Sequence, residues 1–119
     1  MDLGKFSISL TVKDIEKSLD FYQKLGFEVI DGGHSNTDYP DSDKEKWRIL
    51  SSPSVVIGLM QGVFERNMLT FHPPSVLDLQ AQAKKAGLPF TQEADAAGEG
   101  AVYFMLEDPD GNPLLFDQV

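Results

Sequence analysis

The chain has 119 residues, 41% hydrophobic and 24% charged, which is the composition of one globular domain that buries roughly two thirds of its unfolded surface, not of a disordered segment. A formal net charge of -9 repels phosphate backbones and anionic lipid, so neither nucleic acid nor a membrane surface is an expected partner. There is no cysteine for a disulfide framework, no apolar run near the ~18 residues of a membrane span and no leader-like start, and a cytoplasmic location is the expectation.

Apolar Phe6, Ile8, Leu10 and Val12 alternate with Ser7, Ser9 and Thr11, which predicts a strand with one face on a core and one small, polar face. Asp14 then caps a predicted helix whose apolar stripe is Ile15, Leu19, Tyr22 and Leu25, with Gly26 as the left-handed stop. Phe27 to Ile30 is a second strand. Asp31 to Lys46 has no periodicity and is rich in Gly, Ser, Asn, Asp and Pro, a loop long enough to suggest a lid over a site or else a mobile insertion. His34 within it is expected to be solvated, and the Gly32-Gly33 pair to be a turn.

Trp47 to Ser51 and Val55 to Met60 form a predicted hairpin about Ser52-Pro53-Ser54. Gln61 to Asn67 is a bridge, followed by a strand from Met68 to His72, an extended exit at Pro73-Pro74, and a helix capped by Ser75 with Asp78. Val76, Leu79, Ala83 and Ala86 are its expected buried stripe, and Gly87 ends it. Strands follow at Leu88 to Gln92, Ala101 to Glu107 and Pro113 to Asp117. Between the last two, Asp108-Pro109-Asp110-Gly111-Asn112 is a tight turn in which Pro109 presets φ and Gly111 accepts a positive φ. The order is βαβββ twice: Leu10-Thr11-Val12 before a helix ended by Leu25-Gly26-Phe27 is echoed by Leu69-Thr70-Phe71 before one ended by Ala86-Gly87-Leu88.

This repeat, with the stretches LTVKDIEKSLDFYQKLGFEVI and EDPDGNPLLF, resembles the vicinal oxygen chelate superfamily, the glyoxalase, bleomycin-resistance and extradiol dioxygenase group. The resemblance spans nearly the whole chain. It implies an α+β fold in which two βαβββ modules, about 1–62 and about 66–119 of one domain, form a cup-shaped mixed sheet with helices on the convex face. It also implies a homodimer, and in the enzymes of the group a divalent metal held from four strands. Carried over strand by strand, the ligand positions fall on Ser7, Gly58, Met68 (Asn67 if the register slips by one) and Leu115. A hydroxyl, a thioether and two positions without donors suit no divalent ion, so no metal and no cofactor are expected, and glyoxalase or dioxygenase chemistry loses its electrophile.

No nucleophile elbow, Walker loop, dinucleotide-binding glycine pattern or HExxH stretch occurs. Strand parity places Met68, His72, Tyr103, Met105 and Glu107 on the cleft side, with Met60 and Arg48 joining them. These seven are the expected ligand-binding residues, and no catalytic set is assigned. A displaced metal site of His72, Glu107 and Asp117 is the competing arrangement. Trp47 is either a stacking platform or a core plug. Thioether and aromatic walls suit a small, flat, apolar or aromatic molecule. The expected activity is metal-independent binding of such a ligand, the alternative being a metal-dependent lyase, isomerase or dioxygenase with displaced ligands.

Overall fold

The computed structural model describes residues 1–33, 36–95 and 102–118, and His34 therefore lies outside the described residues. Its elements run β1 (Lys5–Thr11), α1 (Ile15–Lys24), β2 (Glu28–Asp31), β3 (Lys46–Ser52), β4 (Val55–Gln61), β5 (Met68–His72), α2 (Val76–Lys85), β6 (Phe90–Gln92), β7 (Tyr103–Glu107) and β8 (Pro113–Asp117). This is the α+β, twice-repeated βαβββ order expected from the sequence, with most boundaries moved by one or two residues. Among the described residues no helix is long and apolar enough to cross a membrane.

The chain forms two compact units, Ser7–Asn67 and Met1–Phe6 with Met68–Val119. The first six residues join the second unit for a packing reason. Gly4, at φ 71, lies so close to the His72 carbonyl that a Cβ would overlap it, and the Phe6 ring sits 5.3 Å from that of Phe71.

In the unit Ser7–Asn67 the strand order is β2-β3-β4-β1, with β1 parallel to β4 and the other pairs antiparallel. Ile8, Leu10 and Val12 pack with Ile15, Leu50, Ile57 and Leu59, and Leu19, Tyr22 and Phe27 complete the cluster. Each such fully buried aliphatic side chain contributes about 1.5–3 kcal/mol. The apolar stripe of α1 stops at Tyr22: Leu25, expected to be buried, is the C-cap and is 64% exposed.

The second unit repeats the plan as β5-β8-β7-β6, with β5 parallel to β8. Val76 and Leu79 of α2 pack on Phe104, Leu106 and Phe116, and the Phe104 and Phe116 rings stack at 4.5 Å. The expected stripe is corrected at its end, because Ala86 is exposed and Gln80 is buried instead. Gln80 takes that place because both ends of its amide are used: Oε1 accepts from the Ala94 N–H at 2.7 Å and Nε2 donates to the Ala94 carbonyl at 3.1 Å.

Each helix start is tied to its sheet in the same way. Asp14 accepts from the N–H groups of Glu16 and Lys17, while the Ile15 N–H donates to Gln61 Oε1 at 2.9 Å from the end of β4. Ser75 accepts from the Asp78 N–H, while the Val76 N–H donates to Gln118 Oε1 at 3.0 Å from just beyond β8. Four N–H groups at a helix start have no partner within the helix, so a strand-end glutamine that takes one fixes where the helix begins against the sheet.

Of the long loop, the described part 36–45 is stitched to β3. Trp47 Nε1 donates to the Tyr39 carbonyl at 2.9 Å, and the Arg48 guanidinium forks onto both Asp41 oxygens at 2.8 Å. Successive strand residues point to opposite faces, so the loop is held from both sides of β3 and is a strap, not a free insertion. Truncating Gln118 to Ala is expected to lower stability by about 1–2 kcal/mol by orphaning the Val76 N–H, read as a lower urea midpoint at unchanged slope. Gln118→Glu keeps the acceptor and places negative charge at a helix start, and it should retain the wild-type midpoint.

Candidate functional site

Because each helix covers one face of its own sheet, every second strand residue points the other way, and the chemistry of each unit lies on that opposite face. In the unit Ser7–Asn67 this face carries Ser7, Ser9, Ile49, Gly58 and Met60. A Cβ built on Gly58 would lie 2.9 Å from Met60 Cε, 3.4 Å from Ile49 Cδ1 and 3.6 Å from Ser9 Oγ, so these side chains close over the glycine. Ser7 and Ser9 are buried, and no buried side-chain nitrogen or oxygen among the described residues lacks a hydrogen-bond partner.

Met60 is half-buried on this face, as expected, but Arg48 is not with it. Arg48 stands opposite Leu59 in the β3–β4 register and shares the parity of buried Leu50, which puts it on the helix side. There it pairs with Asp41, whose hydrogen bonds to the guanidinium hold its carboxyl below the usual aspartate range. Trp47 shares the face of Met60, its cross-strand neighbour, with its indole N–H committed to the Tyr39 carbonyl.

In the second unit the register aligns two rows across β5, β8 and β7. Thr70 pairs with Leu115, and Leu115 with Met105; one step on, His72 meets Asp117, and Asp117 pairs with Tyr103. His72, Tyr103, Met105, Met68 and Glu107 all face away from α2, as expected from parity. They differ in access: Met68 is only 3% exposed and Leu115 4%, whereas His72, Met105 and Asp117 are half-buried and Tyr103 is exposed. The accessible groups of this face are therefore His72, Met105, Asp117 and Tyr103, while Met68 is buried further along β5. Glu107, exposed, pairs with Pro113 and so stands four residues from Asp117, about 13 Å along the strand. His72, Glu107 and Asp117 do not converge, and no three of His, Cys, Asp and Glu gather among the described residues.

His72 and Asp117 do come together. His72 Nδ1 is 3.1 Å from the Asp117 backbone oxygen; a carbonyl oxygen only accepts, so Nδ1 carries the proton and donates it. Burial pushes the Asp117 carboxyl above the usual aspartate range, and the charge of His72 opposes that rise. From the sequence Asp117 stands out only as a member of the displaced metal site. The signal that marks it is its register with Tyr103 and His72, which appears once the strands are paired.

The turn after β7 is built by Asp108, whose carboxylate accepts from the Asp110 and Asn112 N–H groups and the Asn112 side chain, with Gly111 at φ 83. The same bonds hold the Asp108 carboxyl below its usual range. With the doubled βαβββ order, this turn and the two glycine-ended helices in place, a family model for the Glyoxalase/Bleomycin resistance protein/Dioxygenase superfamily matches residues 6–116. The chain belongs to that superfamily.

Solved structures agree on the fold. A superfamily member from Vibrio splendidus 12B01 is 20% identical over 97% of this chain and 98% of its own, at a TM-score of 0.62. A hypothetical protein from Bacillus halodurans C-125 is 19% identical over 97% and 94%, at 0.70. Methylmalonyl-CoA epimerase from Mycobacterium tuberculosis is 13% identical over 98% and 87%, at 0.66. At such identities the likeness is one of fold. No curated protein matches the chain.

The divalent metal of the superfamily's enzymes does not fit the residues at the corresponding strand positions. Ser7 on β1 and Met68 on β5 are buried, Leu115 on β8 has no donor, and Gly58 on β4 is covered by Met60 and Ile49. Asn67, the one-residue alternative to Met68, has its Oδ1 on the Thr11 N–H at 2.9 Å. Hard divalent ions need several carboxylate, carbonyl or imidazole ligands, which this set does not supply.

The raised carboxyl makes a testable statement about stability. Because its folded-state value lies above the unfolded one, Asp117 favours the fold when protonated; that contribution is complete below the unfolded value and is lost as pH rises through the folded value. Asp117→Asn, which removes the desolvated charge, is expected to melt above wild type at pH 7. The gap should close as pH falls below about 4, where wild-type aspartates are protonated in either state.

Proposed function

We propose that this superfamily member is a cytoplasmic, homodimeric protein that binds a small apolar or aromatic molecule without a metal, and that the helix-opposite sheet faces supply the contacts. What supports the reading is that Ser7, Gly58, Met68 and Leu115, onto which the resemblance carries the superfamily's metal positions, supply no set of metal ligands, and that apolar side chains close over Gly58. The face of the unit Ser7–Asn67 offers the half-buried thioether of Met60, and that of the second unit offers the Met105 thioether, the Tyr103 ring and the His72 imidazole. Thioethers and aromatic rings bind flat organic surfaces by dispersion and adapt to their outline, and a few polar groups orient what they hold. The superfamily resemblance supports the homodimer.

Protein purified without chelator should hold well under 0.1 equivalents of Mn, Fe, Co, Ni or Zn by mass spectrometry of the elements, and it should be stabilised by members of an aromatic metabolite panel in the absence of added metal. Near-stoichiometric metal that is lost in His72→Ala would instead establish the enzyme with displaced ligands. Size-exclusion with light scattering reads the dimer directly.

A further inference from the structure

Trp47 on β3 is gripped twice by the strap that precedes it. Its indole Nε1–H donates to the Tyr39 carbonyl at 2.9 Å, and two residues further along the strap Asp41 holds the Arg48 guanidinium by both oxygens at 2.8 Å. Nη1 of that guanidinium also donates to the Trp47 carbonyl at 2.6 Å, so the ion pair is anchored on the backbone of the same tryptophan. A Cβ at Gly33 would lie 2.6 Å from Arg48 Cζ, so the guanidinium is enclosed on that side as well. At the other end of the strap, Gly62 after β4 lies so close to the Lys44 carbonyl that a Cβ would overlap it. The strap is thereby registered at Asp41 and at Lys44, and the carbonyl that receives the indole lies two residues from the first of these points.

The indole stands on the helix-opposite face of the unit Ser7–Asn67. Across β3, β4 and β1 the register places Trp47 beside Met60 and Met60 beside Thr11, with Ile49, Gly58 and Ser9 as the next row. Trp47, Met60 and Ile49 are half-buried, so this end of the face is partly open. The side-chain donors of the first row are committed, the indole N–H to Tyr39 and the Thr11 hydroxyl to the Phe64 carbonyl at 2.8 Å. What remains for a ligand is an indole ring, a thioether and a branched aliphatic chain, which act through contact area and ring stacking. The residues flanking these strand ends carry both signs, Lys13, Lys46 and Arg66 with Glu45 and Glu65, and so set no preference for charge.

We propose that Trp47 is the stacking platform for a planar aromatic ring seated beside Met60, and that Arg48 and Asp41 are positioning residues that act on it through the strap from the opposite face of β3. This rests on the reading of the protein as a small-molecule binder and names the group that the unit Ser7–Asn67 recognises. A tryptophan side chain free to turn loses rotamer freedom when a ligand stacks on it, and a ring already fixed by its N–H loses less. The ion pair supplies that fixing. A fully exposed pair would contribute little, but this one is bidentate and its two side chains are only 17% and 26% exposed. Arg48 thus influences the binding face without standing on it.

The chain has one tryptophan, so its indole N–H gives a single resonance that reports on the platform directly. Two uncharged probes with the same carbon skeleton, planar 2-naphthol and puckered decahydro-2-naphthol, are titrated into the full chain at pH 7. 2-Naphthol should bind about fivefold more tightly, although it is the less apolar of the two, and should shift the indole resonance and the amides of residues 39, 47 and 60. Asp41→Asn keeps the size of the side chain and removes its charge. In that variant the indole N–H should exchange with water about fivefold faster, and the preference for the planar probe should fall to about twofold or less, with decahydro-2-naphthol binding unchanged. Trp47→Leu should remove the preference outright. Equal binding of the two probes, no binding of 2-naphthol, or shifts confined to the second unit overturns the platform. An unchanged exchange rate or an unchanged preference in Asp41→Asn overturns the positioning role. Binding confined to the second unit, in protein that holds no metal, would sink this site and leave the binding-protein reading standing.

Discussion

Everything chemical in this molecule depends on the seating of one helix on one face of each four-stranded sheet. The apolar alternation in β1 and β5, Ile8-Leu10 and Leu69-Phe71, commits those residues to the helix side, and their neighbours Ser7-Ser9 and Thr70-His72 are thereby turned to the other. A slip of one residue would exchange the two sets, placing buried serines under α1 and isoleucine on the functional face. Register is held against this by the helix cores, and the strand-end glutamines reinforce it. Gln61 and Gln118 each take the first N–H of the helix lying on their own sheet, which ties the helix start to the strand that ends beside it.

That device also explains which parts of the fold were legible in the sequence. Capping residues Asp14 and Ser75, the stops at Gly26 and Gly87 and the Asp108–Asn112 turn announce themselves through local chemistry, since each needs only a side chain and its near neighbours in sequence. Gln61, Gln118 and Gln80 do not. Their partners lie 46, 42 and 14 residues away, and a glutamine after a strand or inside a helix has no local signature. The one trace available was positional: a glutamine at or just past the last strand of both halves.

The face residues were legible where alternation is clean and illegible where it is not. In β5 and β7 the pattern of large apolar and other residues separates Thr70, His72, Tyr103 and Met105 from the core set without ambiguity. In β3 the run Trp47-Arg48-Ile49-Leu50 offers apolar residues on both parities. Leu50 proves to be the core residue, which sends Arg48 to the helix side and into its pair with Asp41. Parity also says nothing about depth. Met68 and His72 share a face, but Met68 is buried and His72 reaches the surface, a difference set by tertiary packing and not by spacing.

Gly58, one of the positions onto which the resemblance carries the superfamily's metal ligands, is closed in by its neighbours. At Gly58 the missing side chain is compensated by Met60 Cε and Ile49 Cδ1, which occupy the space a longer residue would need. A glutamate placed there would have to displace Met60. One carboxylate among such neighbours pays desolvation and recruits no ion, because a hard cation needs its ligands together. The packing around Gly58 and the poor donor set therefore point in the same direction. On the helix-opposite face of the second unit Leu115 and Met105 separate Glu107 from His72 and Asp117, so the apolar part of that face lies between its titratable ends.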